Sequence, residues 1–292
     1  MFDAWQAAEV TLPPALARHL HLRDAAREID HAAHVAMLRR IDAELAARDL
    51  RAVVLKGALL AERLYPRPAA RFTTDIDLLV APDALDRALR ALRGVGYEAY
   101  DGPEEEHFRR AGHHLHLYQD GAPPLELHFH AYRGFGEILA APPLLARSES
   151  VDGFTAIRAL APDDELLYLA VHAAAHRFSR LGWLYDLELL LRHHGPGLVD
   201  AARARARVHR LAAPLAFALE ELALLFGFAH GDPGLHAWRR ALLVRITEEP
   251  RTPLLRSLTR FVYSLALCED LGAAQRYARA AVSHRARRVL AP

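Results

Sequence analysis

The sequence holds a single cysteine, Cys268, so an internal disulfide is excluded and a reducing compartment is the expected setting. Lysine is as scarce: of 37 basic residues only Lys56 carries an ammonium, and the rest are arginine. Neither sign of charge is in excess, with 37 basic residues against 36 acidic ones, which excludes a general basic field for holding nucleic acid. No apolar run approaches the roughly 20 residues needed to span a bilayer, and the first residues lack the charged-then-apolar pattern of a leader. A cytoplasmic protein that engages neither membrane nor nucleic acid is expected. What is present is apolar material. Of 292 residues 52% are hydrophobic and 25% charged, enough to bury one large core or two modest ones and unlike collagen-like, disordered or disulfide-scaffold chains.

An arginine-rich, lysine-poor chain fits a GC-rich coding sequence that uses arginine wherever either base serves. Lys56 then marks a position where a compact charge on a flexible stem matters, although chance survival is the plainer account.

Three textures follow one another along the chain. Residues 14–49 repeat apolar positions at three- and four-residue steps and predict a helix. From Ala52 the pattern turns to short strands: 52–55, 74–80, 96–100, 113–119 and 124–130, with helices to Tyr65 and from Pro82 to about Gly94. The turn residues Asp120-Gly121-Ala122-Pro123 predict a hairpin joining the last two strands. From Pro162 onward nearly everything reads as helix, with breaks at 195–197, 231–234 and 250–253. The predicted organisation is an N-terminal helical segment over 1–50, an α/β core over 51–158 and an all-helical half over 159–292.

Asp75 and Asp77 stand two apart on the strand 74–80, so both project from one face while Ile76, Leu78 and Val80 face the other way. Paired carboxylates repel unless a cation lies between them, and oxygen ligands on a rigid strand suit Mg2+. Alone, this D-x-D also fits a solvated strand face. Its position inside an otherwise apolar strand favours a site. Glu126, His128 and His130 share a face of the strand 124–130, and Glu126 on a neighbouring strand supplies a third carboxylate, the layout of a two-metal phosphoryl-transfer site. An amphipathic edge strand is the alternative. Lys56-Gly57 sits where a strand turns into a helix: glycine allows close backbone approach, and Lys56 with Arg71 supplies counter-charge for a triphosphate. The structural alternative is that Lys56 simply pairs with Asp75 or Asp77 and neutralises the site, a role that arginine could partly fill.

Lys56-Gly57, Tyr65-Pro66, Arg71-x-x-Thr74-Asp75-Ile76-Asp77-Leu78-Leu79-Val80, the Glu126-Leu127-His128 strand and the later His172-x-x-x-His176, Trp183 and Asp186 together resemble the uncharacterised nucleotidyltransferase family of the DNA-polymerase-β-like superfamily, over about residues 30–200. The resemblance implies an α+β fold, a small mixed-sheet core flanked by the helical arm and the helical half. It implies a Mg2+-dependent enzyme, with Mn2+ as the substitute, that moves a nucleoside monophosphate from an NTP to an acceptor. Family members often sit in gene clusters for peptide natural products or surface polymers, so the acceptor is expected to be a small molecule, peptide or protein. Matched by position, Asp75, Asp77 and Glu126 are the metal-binding and catalytic acids, and Lys56, Gly57, Arg71 and Thr74 the nucleotide contacts. Position 58 is Ala where the superfamily's phosphate motif has Gly-Ser or Gly-Gly, and Gly57 lies farther from Asp75 than in the archetypal enzymes.

His172 and His176 lie one helical turn apart. They fit core or capping residues, substrate contacts together with His128, positioning groups, or transition-metal ligands. His114 and His116 read as a solvated sheet face, Trp183 and Tyr185 as core, and Glu104–Glu106 as a helix first turn. Two other classes remain: a catalytically silent binding or antitoxin-like module of the same fold, and a nucleotide-sugar glycosyltransferase using the D-x-D metal. The three acids favour turnover over the first. The lack of a doubly wound region before Asp75 counts against the second.

Overall fold

In the computed structural model, residues 12–99, 109, 112–227, 235–245 and 252–290 are described. The chain divides into two compact units, Met1–Phe129 with Ala141–Leu160, and His130–Ala140 with Ala161–Pro292. The fold is α+β.

Unit 1 begins with α1 (Pro14–Ala46), entered through Pro14, whose fixed φ suits a first helical position. The helix stops three residues before the apolar periodicity does. Asp49 turns to φ +50°, and the Leu50 N–H reaches back to the Leu45 carbonyl at 3.0 Å, a left-handed closure that periodicity alone cannot signal. Near the end of α1 the buried Asp42 carboxylate accepts N–H bonds from Thr155, Ala156 and Ile157 at 2.8–3.1 Å, tying the helix to a sheet strand.

Among the described residues that sheet has seven strands in the order β3-β4-β5-β2-β1-β9-β8. They are β1 (Ala52–Val54), β2 (Ile76–Leu79), β3 (Glu98–Ala99), β4 (His114–Tyr118), β5 (Leu125–His128), β8 (Glu149–Ser150) and β9 (Ile157–Ala159). It is mixed: β1/β2 and β4/β5 run antiparallel, β2/β5 and β1/β9 parallel. Helix α2 (Ala58–Leu64) follows β1, α3 (Leu85–Val95) follows β2, and α4 (Ala141–Arg147) precedes β8. Val54, Ile76, Leu78, Val80, Leu115, Leu117, Leu125 and Leu127 pack in one core with Leu38, Ile41 and Leu45 of α1 and Leu89 and Leu92 of α3. Because strand side chains alternate, this packing turns Asp75, Asp77, Glu126, His114 and His116 to the opposite face. The apolar half of the alternation places the polar half.

Unit 2 holds the hairpin β6 (His130–Gly134) and β7 (Glu137–Ala140), then α5 (Pro162–Ala175), α6 (Leu181–His194), α7 (Gly197–His209), α8 (Ala212–Phe226), α9 (Ala237–Arg245), α10 (Pro253–Ala266) and α11 (Leu271–Leu290). Buried Tyr263 donates to the Ala174 carbonyl at 2.8 Å, joining α10 to the end of α5.

Five elements were not anticipated: β6, β7, α4, β8 and β9. The expected strand 124–130 in fact ends at His128, and His130 opens β6, so His130 does not continue the face that carries Glu126 and His128. Glu104–Glu106 and the expected break at 231–234 lie outside the described residues. Among the described residues no helix is long and apolar enough to cross a membrane.

Candidate active site

Strand register builds the site. In the parallel pair β2/β5, Asp77 lies directly opposite Glu126, and Leu79 opposite His128. Asp75 precedes β2 on the Asp77 side of the alternation. On the other flank the antiparallel β1/β2 pairing brings the Leu55 N–H to the Asp77 carbonyl at 3.0 Å, so Lys56 emerges beside both aspartates. Its Nζ donates to Asp77 Oδ2 and lies 3.4 Å from Asp75 Oδ1. The Lys56 side chain is only 10% exposed and that of Asp77 1%, so this is a buried ion pair. His128 meets the acids from β5: its Nε2 stands 3.3 Å from Asp77 Oδ1 and 3.4 Å from Glu126 Oε2.

The charge states follow. Burial by itself would raise the Asp77 carboxyl, but the Lys56 ammonium and His128 outweigh it and hold it far below the ordinary carboxylate range. Burial likewise opposes the charge on Lys56, and Asp77, Asp75 and Glu126 more than offset it, so the ammonium titrates above its usual value. His128 is raised in the same way, burial being overcome by Asp77 and Glu126. Glu126, pushed up by burial, is brought down to about 2 by contact with His128. The arrangement is a set of ionised carboxylates braced by cations.

Gly57 makes the turn from β1 into α2 at φ +90°, a conformation L side chains rarely adopt, and a Cβ there would meet Thr73 Cγ2 at 3.3 Å. Thr73 also accepts from the Arg71 guanidinium at 3.1 Å, and Thr74 Oγ1 donates to Asp75 Oδ1 at 3.2 Å. Lys56, Gly57, Thr74, Asp75, Asp77, Glu126 and His128 thus gather around β1, β2 and β5, with Arg71 joined through Thr73.

The family model described as uncharacterised nucleotidyltransferase matches residues 3–227. The chain belongs to that family. It is a nucleotidyltransferase, an enzyme class that takes an NTP, an acceptor and a divalent metal, and the match spans every residue gathered above. Among solved structures, that of the antibiotic-resistance factor ANT(2'')-Ia is similar at 14% identity, covering 64% of this chain and 95% of that one with a TM-score of 0.43. None of the curated proteins matches the chain.

Two other histidines singled out in the sequence belong to unit 2. In this nucleotidyltransferase His172 and His176 are on α5 and its C-terminal edge, in unit 2. Their rings are 4.7 Å apart, and each lies about 5 Å from the Trp183 ring, at 5.0 and 5.1 Å. Tyr185, expected in the core, is exposed. The larger correction concerns His114 and His116. They face the carboxylates: His116 lies opposite Glu126 and His114 opposite His128. Burial and the nearby His128 push the His114 imidazole down to about 4. The signal was legible in principle, since the hairpin at 120–123 aligns His-x-His with Glu-x-His.

Proposed function

We propose that this nucleotidyltransferase moves a nucleoside monophosphate from an NTP to a hydroxyl or phosphate of a small molecule, peptide or protein, breaking the α–β phosphoanhydride bond and releasing pyrophosphate. In this reading Asp75, Asp77 and Glu126 hold Mg2+, or Mn2+ in its place. The observation that carries it is the register Asp77↔Glu126 on adjacent parallel strands. The donor set fits a hard divalent cation: it is all carboxylate oxygen, and the buried Asp77 already keeps Lys56 and His128 against it as positive partners. When bound, the cation neutralises phosphate charge and stabilises the oxygens that attack and leave.

The chain's own groups do the rest. Lys56 is a point charge beside the aspartates and moves between Asp77 and the triphosphate. Gly57 presents backbone unshielded by a side chain, and Arg71, ordered by Thr73, adds a second cation for the phosphates. Thr74 fixes the Asp75 carboxylate. His128 locks Asp77 and Glu126 at a constant separation. A Glu126 carboxyl held at about 2 is a weak base, which suits holding a cation better than taking the acceptor's proton.

Mass spectrometry of candidate acceptors incubated with each NTP and Mg2+ should find an added nucleoside monophosphate. Calorimetry on Asp77→Asn, which keeps the shape and removes the charge, should find Mg2+-dependent NTP binding abolished. Unchanged binding in that variant would refute the site, and a wild-type chain that binds NTP without any transfer would assign it to the silent binding module.

A further inference from the structure

We propose that His114, His116 and Glu126 form a site for a Zn2+-class transition-metal ion, distinct in chemistry from the oxygen-only set of Asp75, Asp77 and Glu126. The inference goes beyond the nucleotidyltransferase reading: it shares Glu126 with that site but takes its other donors from β4.

The argument begins with alternation. Leu115, between the two histidines, is buried in the core, so both imidazoles project from the opposite sheet face. The β4/β5 register then sets His116 directly across from Glu126. Three donors converge as a result. Taken one donor atom per residue, the three lie within 4.8 Å of one another, and His114 Nε2 and His116 Nε2 are 3.3 Å apart. An ion bound tetrahedrally at about 2.0–2.2 Å holds its ligand atoms about 3.3–3.6 Å apart, so side-chain rotations that bring the donors in by up to about 1 Å complete the site. A hydrogen bond between two imidazoles would account for the His114–His116 distance alone, not for the Glu126 carboxylate beside both rings.

Donor chemistry selects the ion. Two imidazole nitrogens favour Zn2+, Co2+, Ni2+ or Fe2+ over Mg2+, which requires oxygens, and one carboxylate supplies the negative charge. His116 is 38% exposed at the side chain and Glu126 25%, so water can fill the remaining coordination position. Three protein ligands and one open position match the layout of exchangeable rather than closed structural sites.

The test uses the full chain, stripped with a chelator and titrated with CoCl2 in the absence of nucleotide. Visible d–d absorption should saturate at one equivalent with the intensity of a low-coordinate site, and ZnCl2 should bleach it. His114→Gln and His116→Gln should each weaken Co2+ binding at least about 100-fold, since losing even an outer-shell partner of a metal site costs about 10–100-fold. Asp77→Asn and His172→Gln should stay within about threefold of wild type. Far-UV circular dichroism checks folding, and His116, being only half-buried, gives a substitution the sheet tolerates. Three results would overturn the proposal: no saturable Co2+ absorption, absorption retained in both His114→Gln and His116→Gln, or absorption lost in Asp77→Asn and kept in the histidine variants. The last would place the ion in the oxygen set. Because nucleotide is absent throughout, failure here leaves the NTP-binding result on Asp77→Asn standing as a separate measurement.

Discussion

Replacing Lys56 with methionine keeps an unbranched stem of similar length and removes only the charge. The Lys56 ammonium neutralises Asp77 and approaches Asp75, with Asp77 almost wholly out of solvent. Breaking one side of a buried ion pair costs about 3–5 kcal/mol, because the other charge is left uncompensated. Here His128 remains 3.3 Å from Asp77, so the low end applies: Lys56→Met should destabilise the folded chain by about 3 kcal/mol. A divalent cation should restore much of this. Bound at a hundredfold excess over its Kd it contributes about 2.7 kcal/mol, and in the variant it meets no competing ammonium. Urea unfolding of both proteins, with and without MgCl2, should therefore show a larger Mg2+-induced rise in midpoint for Lys56→Met than for wild type. The cycle with Asp77→Asn should be strongly non-additive, with coupling above about 1 kcal/mol. A loss below about 1 kcal/mol, or additivity, would mean that the lone lysine does not balance the buried carboxylate.

Asp42→Ala leaves three backbone N–H groups, those of Thr155, Ala156 and Ile157, without their acceptor at the α1–β9 junction. It should lower stability by about 3 kcal/mol, read as a shift in denaturation midpoint at constant slope. Burial pushes the Tyr97 hydroxyl up to about 12, and it donates to the Pro123 carbonyl at 2.6 Å. A raised pKa favours the protonated form in the folded state, so this contribution is complete below about pH 10 and fades as pH rises toward 12. Tyrosinate absorbance of wild type minus Tyr97→Phe should show that residue ionising near pH 12, above the ordinary tyrosine range. Equal alkaline midpoints for the two proteins would refute it.

What could be read ahead of the structure, and what could not, divides along physical lines. Alternation over 74–80 is a local property, and it correctly put Asp75 and Asp77 together against Ile76, Leu78 and Val80. The turn at 120–123 is local too, and β4 and β5 pair across it. The partner of β2 is not local: a parallel pairing with β5 joins strands that are not consecutive, so the Asp77↔Glu126 register follows from the packing of a whole sheet. Alternation also says which residues share a face without saying what covers it, which is why His114 and His116 read as solvated. Strands β8 and β9, two and three residues long, are too short to carry a period. The β6–β7 hairpin failed for a different reason. Its loop is Phe135-Gly136, both at positive φ (+52° and +77°), the two-residue turn that matches strand twist. Phenylalanine is a poor left-handed residue by propensity, and here its ring is buried, so tertiary packing holds a conformation that local preference argues against. Lys56 stands between the two cases. Its rarity was visible in the composition, but the object of its charge appeared only when the antiparallel register of β1 and β2 set the end of one strand beside the carboxylates of the other.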